Sequence, residues 1–259
     1  MLIALCSLNV EWQDVKRNKI LVREAVQTSS SKGANLVVFP EMCLTGFGKE
    51  SVEHVKDSDA LSFFSLLAKE FQIALVFGWV RGENSSYFNS ATIVDNNGVE
   101  KLTYDKIHLF RHDGEDEYIT GGKEVPHTIL DGIRVGLTIC YDLRFSEIYR
   151  YLGEFVELII AIASWPQSRE EHFLTLLKAR AIENQLFIVG LNRSGRDNKG
   201  LTYGGNAVVF TPCGKEVEKK NIGTHLDLFD IDINKVKEER ENYKFLKDKR
   251  KELYHTWSY

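Results

Sequence analysis

Three chemically capable side chains stand where apolar runs end. Cys140 closes Ile133-Arg134-Val135-Gly136-Leu137-Thr138-Ile139-Cys140, and Tyr141-Asp142-Leu143-Arg144 follows at once. That spacing puts a thiol at a strand-to-helix bend. If residues 146–152 are helical, donors and the positive dipole end at their start favour thiolate over thiol, which suits a nucleophile. Glu41 follows Leu36-Val37-Val38-Phe39-Pro40. A carboxylate at the end of a buried strand is costly to desolvate without a partner or a task, and taking a proton from a thiol and returning it to a leaving amine is such a task. Lys106 lies in Tyr104-Asp105-Lys106-Ile107-His108-Leu109-Phe110, after a strand–turn–strand pattern around Asn96-Asn97-Gly98. Its fixed cation, with the backbone N–H of Tyr141, would give a tetrahedral oxyanion its donors.

Taken singly, each residue also has an ordinary explanation. Cys140 reads equally as a small buried apolar residue, Glu41 as an exposed strand-end acid or a helix cap, and Lys106 as a surface lysine. His108 either orients a neighbouring acid or is structural.

The rest of the chain limits what these residues can serve. Its 259 residues suffice for a sizeable core in one large domain or two small ones. No Pro/Gly/Ser-rich linker or internal repeat divides them, so a single domain over 1–259 is expected. Thirty-three basic against 37 acidic residues leave a formal charge of −4, which argues against nucleic acid or an anionic membrane as partner and for a small molecule. The opening Met1-Leu2-Ile3-Ala4-Leu5-Cys6 lacks a basic leader and meets Glu11 early, so it reads as a first strand, not a signal peptide or membrane span. Cysteines 6, 43, 140 and 213 have no metal-like spacing, and free thiols in the cytoplasm are expected. Asn84-Ser85-Ser86 and Asn192-Arg193-Ser194 match the glycosylation triplet by chance on this reading. No Gly-x-Ser-x-Gly elbow, phosphate-cradling loop or His-Glu-x-x-His helix offers a rival chemistry.

The elements that must position the three side chains alternate as in an α/β protein with covered sheets. Strands are expected over residues 2–8, 36–39, 73–80, 90–94, 133–140, 158–163, 187–192 and 207–210, and helices over 15–32, 61–71 and 170–182. The first helix would bury a stripe of Ile20, Leu21, Ala25 and Val26. Turn formers at Asp95-Asn96-Asn97-Gly98 and Thr211-Pro212-Cys213-Gly214 predict hairpins, hence some antiparallel neighbours. The charged tail 235–251 reads as a solvated helix or as a segment packed on a partner subunit.

Phe39-Pro40-Glu41, Tyr104 to Phe110, and Cys140-Tyr141-Asp142-Leu143-Arg144-Phe145 occur in the order and setting of the nitrilase, or carbon–nitrogen hydrolase, superfamily. Ala179-Arg180-Ala181-Ile182-Glu183-Asn184-Gln185, Asn192-Arg193 and Tyr203-Gly204-Gly205-Asn206 extend the resemblance along the whole chain. It implies an α/β fold, a four-layer α-β-β-α sandwich, dimerised across helical faces with the C-terminal segment, about 235–259, reaching over the neighbour. It also implies that Glu41 activates Cys140 and Lys106 helps hold the oxyanion, so that ammonia leaves and water hydrolyses a thioester, with no metal or organic cofactor. A second acid near the site would be Glu115, with Glu117 as its competitor and an ordinary solvated turn as the alternative for both.

The same resemblance bears on substrate. Nitrilases proper usually follow the nucleophile with Trp-Glu, whereas Tyr141-Asp142 is the pattern of amidases acting on small carboxylates. Tyr141 would flank the substrate, and Arg144 would grip its carboxylate unless it forms a salt bridge to Asp142 or another acid. Ser164-Trp165-Pro166, with Arg169 and His172, most resembles omega-amidases acting on 2-oxoglutaramate and 2-oxosuccinamate, with Trp165 as a pocket wall or a core aromatic and His108 beside the substrate. Deaminated glutathione amidases and N-carbamoyl amino acid hydrolases are the alternatives; the latter would release carbon dioxide as well as ammonia. A non-enzymatic scaffold is disfavoured because all three groups are present.

Overall fold

The computed structural model describes residues 1–54, 59–254 and 256. Strand β1 (Leu2–Cys6) shows how the chain builds its layers: Ile3 and Leu5 join one apolar core, while Ala4 and Cys6 join another. Successive side chains on a strand point to opposite faces, so a run that is apolar at every position needs cover on both sides. The same alternation recurs in β2 (Leu36–Val38) and β3 (Ala74–Glu83), where Leu36, Val38 and Val76 face one core and Val37, Leu75 and Phe77 the other.

Seven strands make the first sheet. Parallel β1, β2 and β3 lie at its centre; β4 (Ser86–Val94) and β5 (Glu100–Asp105) continue it antiparallel on one side, and β14 (Leu226–Asp230) and β13 (Lys219–Gly223) on the other. The second sheet has the order β12-β9-β8-β7-β6, where β6 is His127–Leu130, β7 Ile133–Ile139, β8 Leu158–Ala163, β9 Phe187–Asn192 and β12 Ala207–Phe210. Its central strands β7, β8 and β9 are parallel and its edges antiparallel. A small ribbon of β10 (Ser194–Arg196) and β11 (Thr202–Gly204) stands apart from both.

Helices α1 (Val15–Ser31) and α2 (Ala60–Phe71) cover the first sheet, with Val22, Val26, Phe64 and Leu67 in the outer core and the Phe64 ring stacked on Phe77 at 3.9 Å. Helices α3 (Ser146–Leu152) and α4 (Glu170–Asn184) cover the second through Ile148, Leu152, Phe173 and Leu177. The layers are therefore helix, sheet, sheet, helix, the expected sandwich.

Several boundaries and faces differ from the sequence expectation. β1 ends at Cys6, not at residue 8, and β4 begins at Ser86, which brings Asn89 into the ladder opposite Val80. α1 buries Asn18, Val22, Val26 and Ser29 and leaves Ile20 49% exposed. Asn18 turns inward because its amide bonds the backbone of Glu11 and the carbonyl of Leu44, and of the expected stripe Val26 is buried and Leu21 and Ala25 are half-buried against the core, while Ile20 alone turns outward. Thr211 to Gly214 forms the expected tight turn, and the chain beyond it pairs back on β12 through the Phe210–Glu216 bridge and bonds from the Thr211 N–H to the Lys215 carbonyl and from the Val217 N–H to the Val209 carbonyl.

The tail is not one helix. α5 (Asn234–Asn242) stops at Tyr243, a 3₁₀ turn follows at Phe245–Asp248, and a last helical turn spans Lys251–Tyr254; residues 255 and 257–259 lie outside the described residues. Arg240 anchors it, donating to the carbonyls of Gly153, Val156, Asn184 and Gln185 at the ends of α3 and α4, where orphan carbonyls and negative dipole ends favour a cation. Among the described residues, no helix is long and apolar enough to cross a membrane.

Candidate active site

Glu41, Cys140 and Ser164 each follow the C-terminal end of a central parallel strand: β2, β7 and β8 respectively. Strands that run the same way bring their exits to one edge, where α/β sheets commonly place ligands. Lys106 follows β5 and arrives through a backbone bond to Asn89 of β4. The four segments converge because the two sheets pack face to face, and close approach at Gly78 of β3 permits it. A Cβ there would meet the Glu41 Cα at 2.6 Å and the Ile162 Cδ1 at 2.8 Å.

The buried polar centre is made of four side chains with almost no exposed surface: Glu41, Asn89, Lys106 and Glu115. Lys106 Nζ donates to Glu41 Oε1 at 3.1 Å and to Glu115 Oε1 and Oε2 at 3.0 and 2.8 Å. Burial alone would push the ammonium toward losing its proton, but Glu41 and then Glu115 outweigh it and hold the lysine above its ordinary range. Asn89 Nδ2 donates to Glu41 Oε1 and Glu115 Oε1, and the backbone N–H of Phe110 donates to Glu115 Oε2 at 2.6 Å. The acidic loop thus contributes Glu115, while Glu117 is exposed. Glu41 Oε2 accepts from the backbone N–H of Ser164 at 2.8 Å.

Cys140 takes φ +48°, a left-handed conformation that strains a residue with a Cβ. Its Sγ reaches the Ser164 carbonyl at 3.8 Å, so thiol and Glu41 Oε2 meet at opposite ends of the same residue's main chain. Helix α3 starts only at Ser146; Cys140 instead opens a 3₁₀ turn, Cys140–Arg144. The expected thiolate is corrected as well: burial, then the charge on Glu41, raises the Cys140 thiol well above the ordinary range, against a smaller opposing pull from Lys106. Cys140 thus rests as a neutral thiol beside Glu41, and to serve as a nucleophile it would have to lose that proton as attack begins. The other three cysteines are unsuited: Cys6 and Cys43 are core residues, the former pushed up to about 12 by burial, and Cys213 lies in an exposed turn.

Asp142 holds the catalytic turn. Fully buried, it accepts from Tyr104 Oη (2.7 Å), from the backbone N–H groups of Ile139 and His108 (both 3.0 Å), and pairs with His108 Nδ1 at 2.8 Å. His108 therefore belongs behind the site, stacked on Phe145 at 3.8 Å, and does not line the cavity where substrate would sit. Arg180 of α4 steadies the same turn by donating to the Leu143 carbonyl at 3.0 Å. Replacing Asp142 with Asn turns acceptors into donors in a buried network. The expected loss is about 2–4 kcal/mol of stability, read by thermal denaturation, with slower alkylation of Cys140 as its turn loosens.

A cavity of about 270 Å³ opens over Cys140 and Lys106, with Tyr141, Arg144 and Trp165 in its wall; Glu41 and Glu115 lie behind it. The Arg144 guanidinium sits 4.6 Å over the Trp165 ring and has no acidic partner among the described residues, so the salt bridge to Asp142 is not formed. Trp165 is both wall and core: it is 3% exposed, packs on Phe173, and donates Nε1–H to the Arg169 carbonyl. Asn192 clamps its backbone from both sides, with Oδ1 accepting from the Trp165 N–H and Nδ2 donating to the Trp165 carbonyl. Asn192 is thereby buried and fully used, which rules it out as a glycan acceptor. Arg169 lines the rim, whereas His172, on exposed helix surface, does not. Asn89, the Ser164 N–H and Asn192 escaped the sequence reading. Asn192 at least was signalled by its place in a resembling segment.

A fold of two stacked, helix-covered sheets with a buried Glu–Lys–Glu set behind a strand-end cysteine defines a class of hydrolase, and comparison with known proteins agrees. Residues 2–240 match the carbon–nitrogen hydrolase family model, so the chain belongs to the carbon–nitrogen hydrolase family and is a hydrolytic enzyme acting on amides. It is 33% identical over 261 residues to "Hydrolase in agr operon" of Staphylococcus aureus, covering 98% of this chain and all of that one. It is 32% identical to the 2-oxoglutaramate amidase of Bacillus subtilis (strain 168), covering 86% of this chain and 88% of that one. Among solved structures, a CN-hydrolase superfamily protein from Xanthomonas campestris, with an arsenic adduct in its active site, superposes with a TM-score of 0.89 at 25% identity, over 96% of this chain and 97% of that one.

Proposed function

We propose that this enzyme is an omega-amidase that frees ammonia from a small carboxylate-bearing carboxamide, 2-oxoglutaramate or 2-oxosuccinamate, through a thioester on Cys140. The observation that carries the substrate class is Arg144, a half-buried guanidinium without an acidic partner among the described residues, held over the Trp165 ring in the wall that also presents Cys140. A fixed, unneutralised fork of donors suits a carboxylate. The cavity, at about 270 Å³, falls below the range of drug-sized pockets, which favours a five-carbon oxo-acid amide over a tripeptide-sized one. The relative from Bacillus subtilis, named a 2-oxoglutaramate amidase, supports the same reading.

The geometry supports the following steps. Glu41 Oε1 already accepts from Asn89 and Lys106, so Oε2 takes the Cys140 proton as sulfur attacks the amide carbon. The carbonyl electrons move to an oxyanion. The Tyr141 N–H, in the first turn of the 3₁₀ segment and so without an intrahelical acceptor, donates to it. All three Lys106 N–H bonds point at carboxylates in the resting state, so Lys106 can join only by giving up one of them. Glu41 then returns the proton to the leaving nitrogen, the C–N bond breaks, and ammonia departs. Water, deprotonated by Glu41, cleaves the thioester; the acid leaves and the proton returns to sulfur.

Ammonia release measured in parallel on 2-oxoglutaramate, deaminated glutathione, glutamine and an N-carbamoyl amino acid tests the assignment, with the first expected to give the highest kcat/KM. Arg144→Ala should raise KM for 2-oxoglutaramate by about 10- to 100-fold, the worth of a charge-assisted pair, with little change in kcat. An unchanged KM would remove Arg144 as the carboxylate anchor.

A further inference from the structure

Asn89, fully buried in the middle of β4, bonds both carboxylates at the centre of the site and the backbone of its lysine. Its side-chain amide has two hydrogens. One goes to Glu41 Oε1 at 2.7 Å and the other to Glu115 Oε1 at 2.8 Å. Its backbone carbonyl accepts the Lys106 N–H at 2.8 Å. The opposite amide orientation would set oxygen against two carboxylate oxygens at those distances, so electrostatics fixes which atom is nitrogen. The consequence is an Asn89 Oδ1 that is buried with no partner among the described residues. Buried acceptors are rarely left that way, and here the orientation that strands it is the one that serves both acids.

That orientation has two effects on Glu41. With Oε1 occupied by Asn89 and Lys106, the carboxylate cannot rotate without breaking two bonds, and Oε2 is left toward Ser164, whose carbonyl the Cys140 sulfur approaches. The amide is also neutral. Two carboxylates face one ammonium from Lys106, the Cys140 thiol and the Tyr118 hydroxyl, which burial and then Glu115 and Glu41 keep protonated. A cation at position 89 would weaken the base, and an acid there would add a third negative charge.

We propose that Asn89 is a positioning residue for the general base, spending both amide N–H bonds to aim Glu41 Oε2 at the Cys140 thiol and to hold Glu41 and Glu115 in place beside a single lysine. The proposal rests on Glu41 being the base, and its test uses a readout that needs no substrate: the rate of Cys140 alkylation by iodoacetamide against pH, located by peptide mass. Asn89→Asp has nearly the same shape, removes both donors and adds a charge. The added negative charge disfavours loss of the Cys140 proton, so the acid limb of the alkylation profile should move up by about one pH unit or more. On 2-oxoglutaramate kcat should fall by roughly 100-fold or more, the usual worth of general base catalysis, with KM within about 3-fold.

Glu115→Gln added to Asn89→Asp restores the original number of carboxylates. It should return the acid limb toward the wild-type position without restoring kcat, a rescue that a merely structural asparagine would not show. If Asn89→Asp fails to fold, Asn89→Ser, smaller and uncharged, is read the same way, with the limb again moving up. Wild-type alkylation profiles and wild-type kcat in these variants would overturn the proposal. A wild-type enzyme that alkylates as described yet hydrolyses none of the amides would instead refute the substrate assignment alone.

Discussion

Cys140→Ala is expected to release ammonia no faster than roughly 10⁻⁶ of the wild-type rate, while folding normally. The loss should be complete because no other thiol can replace it: Cys6 and Cys43 are sealed in the other core, and Cys213 lies in an exposed turn away from the cavity. The fold should survive because alanine keeps the Cβ and therefore the same strained φ of +48°, and the turn is held by Asp142 and Arg180, not by the sulfur. Glu41→Gln should be nearly as damaging. It keeps the side chain's shape, but an amide cannot take the proton that the raised Cys140 thiol retains at neutral pH. Ammonia release and thermal denaturation on the two variants check both halves of the statement.

Lys106→Ala is expected to lose both activity and stability. Lys106 lies within hydrogen-bond reach of Glu41 and Glu115, and all three side chains are fully buried. Removing the cation leaves two buried carboxylates without a counterion, a change that typically costs about 3–5 kcal/mol. For a chain of this length that corresponds to a fall in Tm of roughly 10 °C. Adding Glu115→Gln to Lys106→Ala removes one of the stranded charges, so part of the lost Tm should return while ammonia release does not. That split separates the lysine's part in holding the acids from its part in catalysis, and scanning calorimetry with an ammonia assay measures it.

The sign of the Lys106 contribution follows from its direction of shift. A lysine held above its ordinary value stabilises the folded state fully below that value and loses the contribution only as pH rises through the raised one. The Lys106→Ala deficit should therefore be constant across neutral pH as far as this group is concerned.

What the sequence made legible follows from where information is local. Glu41 and Cys140 each end a run of apolar residues, so a strand and the reactive group it delivers are read together; Lys106 was read through a turn, Asp95 to Gly98, that does form the β4–β5 hairpin. Asn89 was not legible, because a polar residue inside a strand looks like an outward-facing position until the partner sheet and two distant acids are in place. Ser164 acts through its backbone, which no side-chain pattern reports. The direction of the Cys140 shift was misread for a related reason: the local signal, a helix start nearby, pointed to thiolate, whereas the governing charge, Glu41, arrives from about 100 residues upstream.

Edge strands were the other omission. β13, with Lys219, Lys220 and Asn221, has the polar exposed character that guards a sheet edge, and such a segment lacks the apolar alternation by which strands are recognised. In the tail, α5 is held mainly by Arg240 reaching carbonyls on α3 and α4, an interaction set by tertiary geometry alone.

The account stands on a covalent bond between substrate and Cys140. Acid-quenched mass spectrometry of the wild-type enzyme during its first turnover of 2-oxoglutaramate should find the peptide containing Cys140 heavier by the substrate less ammonia, with no such adduct in Cys140→Ala. Ammonia appearing in that first turnover while Cys140 stays unmodified, or the adduct lying on another residue, would contradict it.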